Sequence, residues 1–149
     1  MRIIYACVHN INLFFVLEMV EWNGLKDGDR IAIKSSYDRY LNAREDGIAT
    51  TKGVAPGSWE TWTVEKTRNG QITLKSHHGK YLAADDKGQV TANRVAPGQG
   101  GTFTVEKMGE GSSFKTFHRT YLYADNNGFL HAKVESGKDR QFKIERVAG

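Results

Sequence analysis

The chain has 149 residues and a formal net charge of +4, long enough to bury one self-sufficient core and short for more than one domain. Glycine is frequent, proline occurs twice and cysteine once; this suits short strands joined by tight turns, does not suit a helical bundle or a disordered tail, and excludes an internal disulfide. Lys and Arg are interspersed with Asp and Glu, which reads as a solvated surface and makes a poor nucleic-acid footprint.

The lone Cys7 and the lack of any Asn-x-Ser/Thr acceptor fit a reducing, cytoplasmic setting. Residues 1–18, MRIIYACVHNINLFFVLE, are apolar behind Arg2 and raise the question of a signal peptide. His9, Asn10 and Asn12 interrupt the run, and no small-x-small cleavage site follows. A membrane span needs about 20 apolar residues, so stable membrane insertion is not expected. The expectation is an extension outside the fold, such as a misplaced start codon adds, with the domain running over 19–149 from Met19. Myristoylation would need glycine after the initiator, where Arg2 or Val20 stands.

The remainder repeats itself. Ile33-Lys34-Ser35 leads to Tyr40-Leu41, Leu74-Lys75-Ser76 to Tyr81-Leu82, and Phe114-Lys115-Thr116 to Tyr121-Leu122. Ala43, Ala84 and Ala124 correspond, as do Gly47, Gly88 and Gly128. Val54-Ala55-Pro56-Gly57 recurs as Val95-Ala96-Pro97-Gly98 and loosely as Val134-Glu135-Ser136-Gly137. Each unit ends alike, in Trp62-Thr63-Val64-Glu65, Phe103-Thr104-Val105-Glu106 and Phe142-Lys143-Ile144-Glu145.

Every unit parses into four strands. The first alternates, as in Ile31-Ala32-Ile33, so one face is buried. The second holds Tyr-Leu-x-Ala. The turns REDG, DDKG and DNNG follow, where glycine accepts positive φ and Asp or Asn bonds its own backbone. The third strand carries Ala49, Val90 or Leu130, and the fourth carries the aromatic-x-aliphatic pair. Three units of four strands exclude most propellers, which need at least four blades. The expected fold is all-β, a β-trefoil with pseudo-three-fold symmetry, in which six strands close a barrel and three hairpins cap it. Its expected core is Ile33, Leu74 and Phe114; Leu41, Leu82 and Leu122; Trp62, Phe103 and Phe142; and Val64, Val105 and Ile144.

The motifs carry little chemistry. His77 and His78 are adjacent in a loop between first and second strands, where the sister units have Ser36-Tyr37 and Phe117-His118. Adjacent side chains diverge and a zinc site wants three or four ligands, so loop histidines are expected rather than a metal. Glu45-Asp46, Asp85-Asp86 and Asp125 all fall in the hairpin turns, where the backbone explains them. Asp125-Asn126-Asn127-Gly128 lacks the spacing and closing glutamate of a calcium loop. With no Gly-x-Ser-x-Gly, phosphate loop or HExxH, no catalytic residue and no cofactor are expected. The basic positions remain: Lys75, His77, His78 and Lys80 form one cationic edge, with His118 and Arg119 at the analogous place in the third unit, a surface that attracts an acidic polymer.

The units LKSHHGKYLAAD, TVEK and KTFHRTYLYADNNGFL resemble the fascin and hisactophilin group of actin-crosslinking β-trefoils, over about residues 28–149 by repeat register. The resemblance implies a cytoplasmic, cytoskeleton-associated F-actin binder without catalytic activity. Fascins join four trefoils and hisactophilins are rich in histidine; this chain has one trefoil and five histidines, so crosslinking requires a second site or a homodimer. The alternative is a carbohydrate-binding trefoil, in which Trp59, Tyr37 or Tyr123 would stack on sugars, although the ricin-type glutamine two positions before the fourth-strand aromatic is missing.

Overall fold

The computed structural model describes residues 17–19 and 24–147. Six strands form the barrel: β2 (Arg30–Ser35), β5 (Trp62–Lys66), β6 (Ile72–Lys75), β9 (Thr104–Met108), β10 (Gly111–Lys115) and β13 (Phe142–Val147). Antiparallel pairing runs β9–β10–β13–β2–β5–β6. The remaining seam, β6 to β9, is closed by one bridge, where Ile72 and Phe103 exchange both N–H···O bonds at 2.9 Å. The corresponding residues meet at the other two seams as Ile31 with Trp62 and Ser112 with Phe142. Each repeat adds a hairpin to the barrel: β3 (Tyr40–Ala43) with β4 (Ala49–Gly53), β7 (Tyr81–Ala84) with β8 (Val90–Arg94), and β11 (Tyr121–Ala124) with β12 (Leu130–Lys133). The fold is a β-trefoil, and no α-helix occurs among the described residues.

Alternation explains why these segments are strands. Ile31 and Ile33, Leu74, Phe114, and the fourth-strand residues Trp62, Val64, Phe103, Phe142 and Ile144 turn inward and are essentially inaccessible. Leu41, Leu82 and Leu122 reach the same core from the hairpins. Phe114 and Phe142 meet edge to face at 5.8 Å, a favoured aromatic geometry. Every expected core residue is buried except Val105, which packs on the core half-buried. Trp62 fits where its sisters are phenylalanines because its indole N–H finds the carbonyl of Leu41 at 3.0 Å.

Bonds between repeats hold the cap together. The carbonyl of each turn glycine accepts an amide from the third strand of the following repeat: Gly47 from Ala92 (2.8 Å), Gly88 from Ala132 (3.0 Å) and Gly128 from Thr51 (3.0 Å). The turns are thereby closed into a ring. A second set joins each second strand to the preceding fourth strand. The hydroxyls of Tyr40, Tyr81 and Tyr121 donate to the carboxylates of Glu145, Glu65 and Glu106 at 2.8, 2.8 and 3.1 Å. These bonds to ionised acceptors hold the phenols protonated; burial leads at Tyr40 and Tyr121 and the Glu65 bond leads at Tyr81, and all three pKa values are raised.

One further strand lies outside the repeats. β1 (Leu17–Met19) pairs antiparallel with β13, placing Glu18 opposite Arg146. The boundary expected between residues 18 and 19 therefore falls inside a strand. Residues 1–16 lie outside the described residues.

Candidate functional site

Three equivalent loops leave the first strand of each repeat, and one local device folds them all. The hydroxyl of Ser35, Ser76 or Thr116 accepts the amide two residues on, from Tyr37, His78 and His118 at 3.1–3.2 Å. The carbonyl of the same residue accepts the next amide, from Asp38, Gly79 and Arg119. The repeated Lys-Ser/Thr pair is thus a turn-forming signal. The residue closing the turn takes positive φ, at 61° for Asp38, 77° for Gly79 and 67° for Arg119. Asp tolerates that region; arginine is an unusual occupant.

The loops differ in what they leave free. In the β2–β3 loop, the Ser36 hydroxyl donates to the carbonyls of Lys138 and Gln141 at 2.5 and 3.1 Å. The Tyr37 hydroxyl donates to Asp139, and that bond leads in pushing its pKa up to about 12. Lys34 sits 3.9 Å from both Asp38 and Glu145. This loop is spent on internal contacts, chiefly with the 3-10 turn Lys138–Arg140.

The β6–β7 loop brings four of the expected site residues together. Lys75, His78 and Lys80 are half-buried, and His77 is exposed. The Lys75 ammonium lies over the Tyr81 ring, 5.6 Å from its centroid. His78 is less free than a surface loop suggests: its Nε2 meets the Ala43 carbonyl at 3.0 Å, and its ring stands edge-on to Trp59 at 5.4 Å. Trp59 sits in the 3-10 turn Ser58–Glu60 of the preceding repeat. Its place beside the histidines could not be read from spacing, because the contact crosses between repeats.

His118 and Arg119 occupy the β10–β11 loop, apart from the first group, since β9 separates β6 from β10 in the barrel. Arg119 is exposed, His118 half-buried, and Phe117 beside them is 47% exposed. Phe117 was legible as the sister of His77, although charge alone does not single it out.

The turn carboxylates have structural roles. Asp85 accepts the amides of Lys87 and Gln89, and Asp125 those of Asn127 and Phe129. The Gln89 amide leads in lowering the Asp85 pKa. In the first repeat Arg44 stands where the others have Asp, and Asp46 both accepts the Ile48 amide and pairs with Arg44 at 2.9 Å. Among the described residues no three of His, Cys, Asp and Glu gather as a metal would require, and no helix is long and apolar enough to cross a membrane.

No curated protein matches the chain. The family model of the fascin domain matches residues 50–144, well over half of the sequence, and the chain belongs to the fascin domain family.

Proposed function

We propose that the protein binds F-actin without catalysis, in the cytoplasm and in association with the cytoskeleton. The observation that carries this reading is the β6–β7 loop of a fascin-family trefoil. Residues 75–80, KSHHGK, hold two lysines and two histidines and no acid, on a backbone fixed by the Ser76 turn. Nearby carboxylates are engaged: Glu65 with Tyr81 and Thr73, and Glu60 with Asn42 and the Gly57 amide. The loop therefore faces outward as a cation, which suits the acidic surface of a filament. Lys75, His77, His78 and Lys80 make the primary contact, and His118 with Arg119 form a separate patch of the same kind. Crosslinking follows if both patches act or if the chain forms a homodimer. Co-sedimentation of the full chain with F-actin at two salt concentrations tests the reading: pelleting that weakens with salt supports it, and no pelleting at low salt overturns it.

Carbohydrate binding is the second reading, favoured by one cluster. Tyr37 bonds Asp139, and Tyr123 lies close enough for the same carboxylate to help raise its pKa, after burial. Lysines 138 and 133 cover those two rings at 4.9 and 4.8 Å, which leaves less aromatic face for a sugar. A glycan array tests it.

A further inference from the structure

Each repeat meets the next where its 3-10 turn approaches the loop that follows the next first strand, and the three junctions are filled differently. Trp59, Gly100 and Asp139 hold the same place in the turns Ser58–Glu60, Gln99–Gly101 and Lys138–Arg140. Their counterparts across the junction are His78, His118 and Tyr37. Between the first and second repeats the place is plugged. Trp59 stands edge-on to His78, whose Nε2 is engaged by the Ala43 carbonyl, and Gly53 at the end of β4 offers no cation. Between the third and first repeats a cation and an acid are both present. Lys133, at the end of β12, covers the Tyr123 ring, and the Asp139 carboxylate accepts the Tyr37 hydroxyl. Between the second and third repeats the cation is kept and the acid is missing. Arg94 pairs with Tyr81 as Lys133 pairs with Tyr121, while Gly100 replaces Asp139 and Ala83 replaces Tyr123.

This junction therefore carries polar groups that nothing in it answers. Among the described residues, the side chains of Arg94 and Arg119 make no hydrogen bond or ion pair, and the His118 ring, unlike that of His78, makes no hydrogen bond. A Cβ on Gly98 would lie 2.8 Å from Arg94 Nη2, so the guanidinium lies along this turn. A Cβ on Gly100 would lie 3.8 Å from Arg94 Nη1 but 2.8 Å from the Ala84 carbonyl oxygen, so the backbone leaves no room for an acid in cis. His118 reaches the same corner. It helps to lower the pKa of Asp85, after the amides of Gln89 and Lys87 and the Lys87 charge. That carboxylate is occupied by the two amides, at 2.9 and 2.8 Å.

We propose that the junction of the second and third repeats binds an acidic side chain of a partner protein, which supplies in trans the carboxylate that Asp139 supplies in cis at the sister junction. Arg94 offers paired N–H donors matched to a carboxylate. His118 and Arg119 flank it, and the exposed Phe117 ring gives the residue next to the acid an apolar neighbour. The site goes beyond the actin reading, because it centres on Arg94 and its test uses no filament.

Two peptides serve as probes: acetyl-Gly-Glu-Phe-Glu-Gly-amide and the same sequence with glutamine for both glutamates. The full chain is titrated with each while the His118 ring signal is followed by carbon–proton NMR, the signal being identified by its loss in His118→Gln. The acidic peptide should shift it saturably, in a manner weakened by salt, and the glutamine peptide should not. Arg94→Gln should weaken binding about tenfold or more, the scale of a lost hydrogen bond to a charged group. Arg94→Lys should keep most of it, as Lys133 serves the sister junction. Arg39→Gln removes an exposed cation from the β2–β3 loop and should change nothing. Thermal melts confirm that each variant is folded. No saturable shift, equal shifts with both peptides, or equal losses in Arg94→Gln and Arg39→Gln overturns the site. Sodium sulfate binding as tightly as the acidic peptide also overturns it, since the junction would then be a general anion site.

Discussion

The amide of Ala132 donates to the carbonyl of Gly88 at 3.0 Å, so the turn of the second repeat rests on the third strand of the third. This contact explains why the turn residue must lack a side chain. Gly88 has φ of +85°, and a Cβ there would lie 2.7 Å from the Ala132 carbonyl oxygen, a backbone atom that cannot step aside. Gly70, in the β5–β6 hairpin, has a similar φ of +79° with nothing within 4 Å. Gly70→Ala should therefore cost only the left-handed backbone term of about 1–2 kcal/mol. Gly88→Ala should cost more than that, on the order of 3 kcal/mol, because the ring must also open. Urea unfolding of both variants checks the difference; equal losses would mean that the ring adds nothing.

Thr51 carries the reverse relationship. Its amide closes the ring on Gly128, but its buried hydroxyl has no hydrogen-bond partner. The equivalent residues, Ala92 and Ala132, have no hydroxyl to satisfy. An unpaired buried hydroxyl costs about 1–3 kcal/mol, and valine keeps the shape while removing it. Thr51→Val should raise stability by about 1 kcal/mol, read as a higher urea midpoint at unchanged m-value. A fall in the midpoint would show that the hydroxyl is satisfied in solution.

The tyrosines fix the alkaline limit of the fold. Tyr37, Tyr40, Tyr81, Tyr121 and Tyr123 all have raised pKa values, with bonds to Asp139 or glutamate and partial burial as causes. A phenol whose folded pKa exceeds its unfolded one holds its proton more tightly in the folded state. Its contribution is complete below the unfolded value of about 10 and is lost as pH rises from there toward the folded value. For Tyr37 that window closes at about 12. The melting temperature should stay level up to about pH 10 and then fall. Tyrosinate absorbance of the folded chain should rise mostly above pH 10, in contrast to the unfolded chain in denaturant. Coincident titration curves would mean that the phenol–carboxylate bonds are not formed.

Trp62 shows how far equivalence between repeats carries. The register of Trp62 with Phe103 and Phe142 is plain in the sequence and correctly places all three in the core. The register does not predict the indole bond to Leu41, because that carbonyl belongs to β3, a hairpin strand of the same repeat whose approach to Trp62 has no counterpart at Phe103 or Phe142. The same limit applies elsewhere. Turn glycines were legible as positive-φ residues, whereas their ring of inter-repeat bonds was not. The Tyr and Glu of each unit were visible as repeats, but their pairing joins one unit to the previous one. The pinning of His78 by Ala43 and Trp59 has the same origin, and the pairing of β1 with β13 lies outside the repeat altogether. Local periodicity encodes what each repeat does alone; contacts made on closing the barrel leave little local trace. Trp62→Phe should lose the indole bond, strand the Leu41 carbonyl and open a small void, for about 2–3 kcal/mol in total. A loss under about 1 kcal/mol in denaturant unfolding would show that water replaces the indole.

Lys75 and Lys80 flank the same loop but should respond differently to charge reversal. The Lys75 ammonium lies over the Tyr81 ring, whose hydroxyl is bonded to Glu65. A glutamate there would face a negative ring face and a nearby carboxylate, so Lys75→Glu should lower the melting temperature as well as filament binding. Lys80 has no side-chain hydrogen bond or ion pair among the described residues, and Lys80→Glu should leave the melting temperature within a degree or two, on the order expected for a surface substitution. Its effect should appear in the partner: filament affinity at low salt should fall several-fold, and the remaining binding should depend less on salt, because one attractive charge has become repulsive. Co-sedimentation of both variants across a salt series, paired with thermal melts, separates the two roles. If Lys80→Glu binds like wild type at low salt, this loop is not the contact, and the β10–β11 loop with Arg119 becomes the primary candidate.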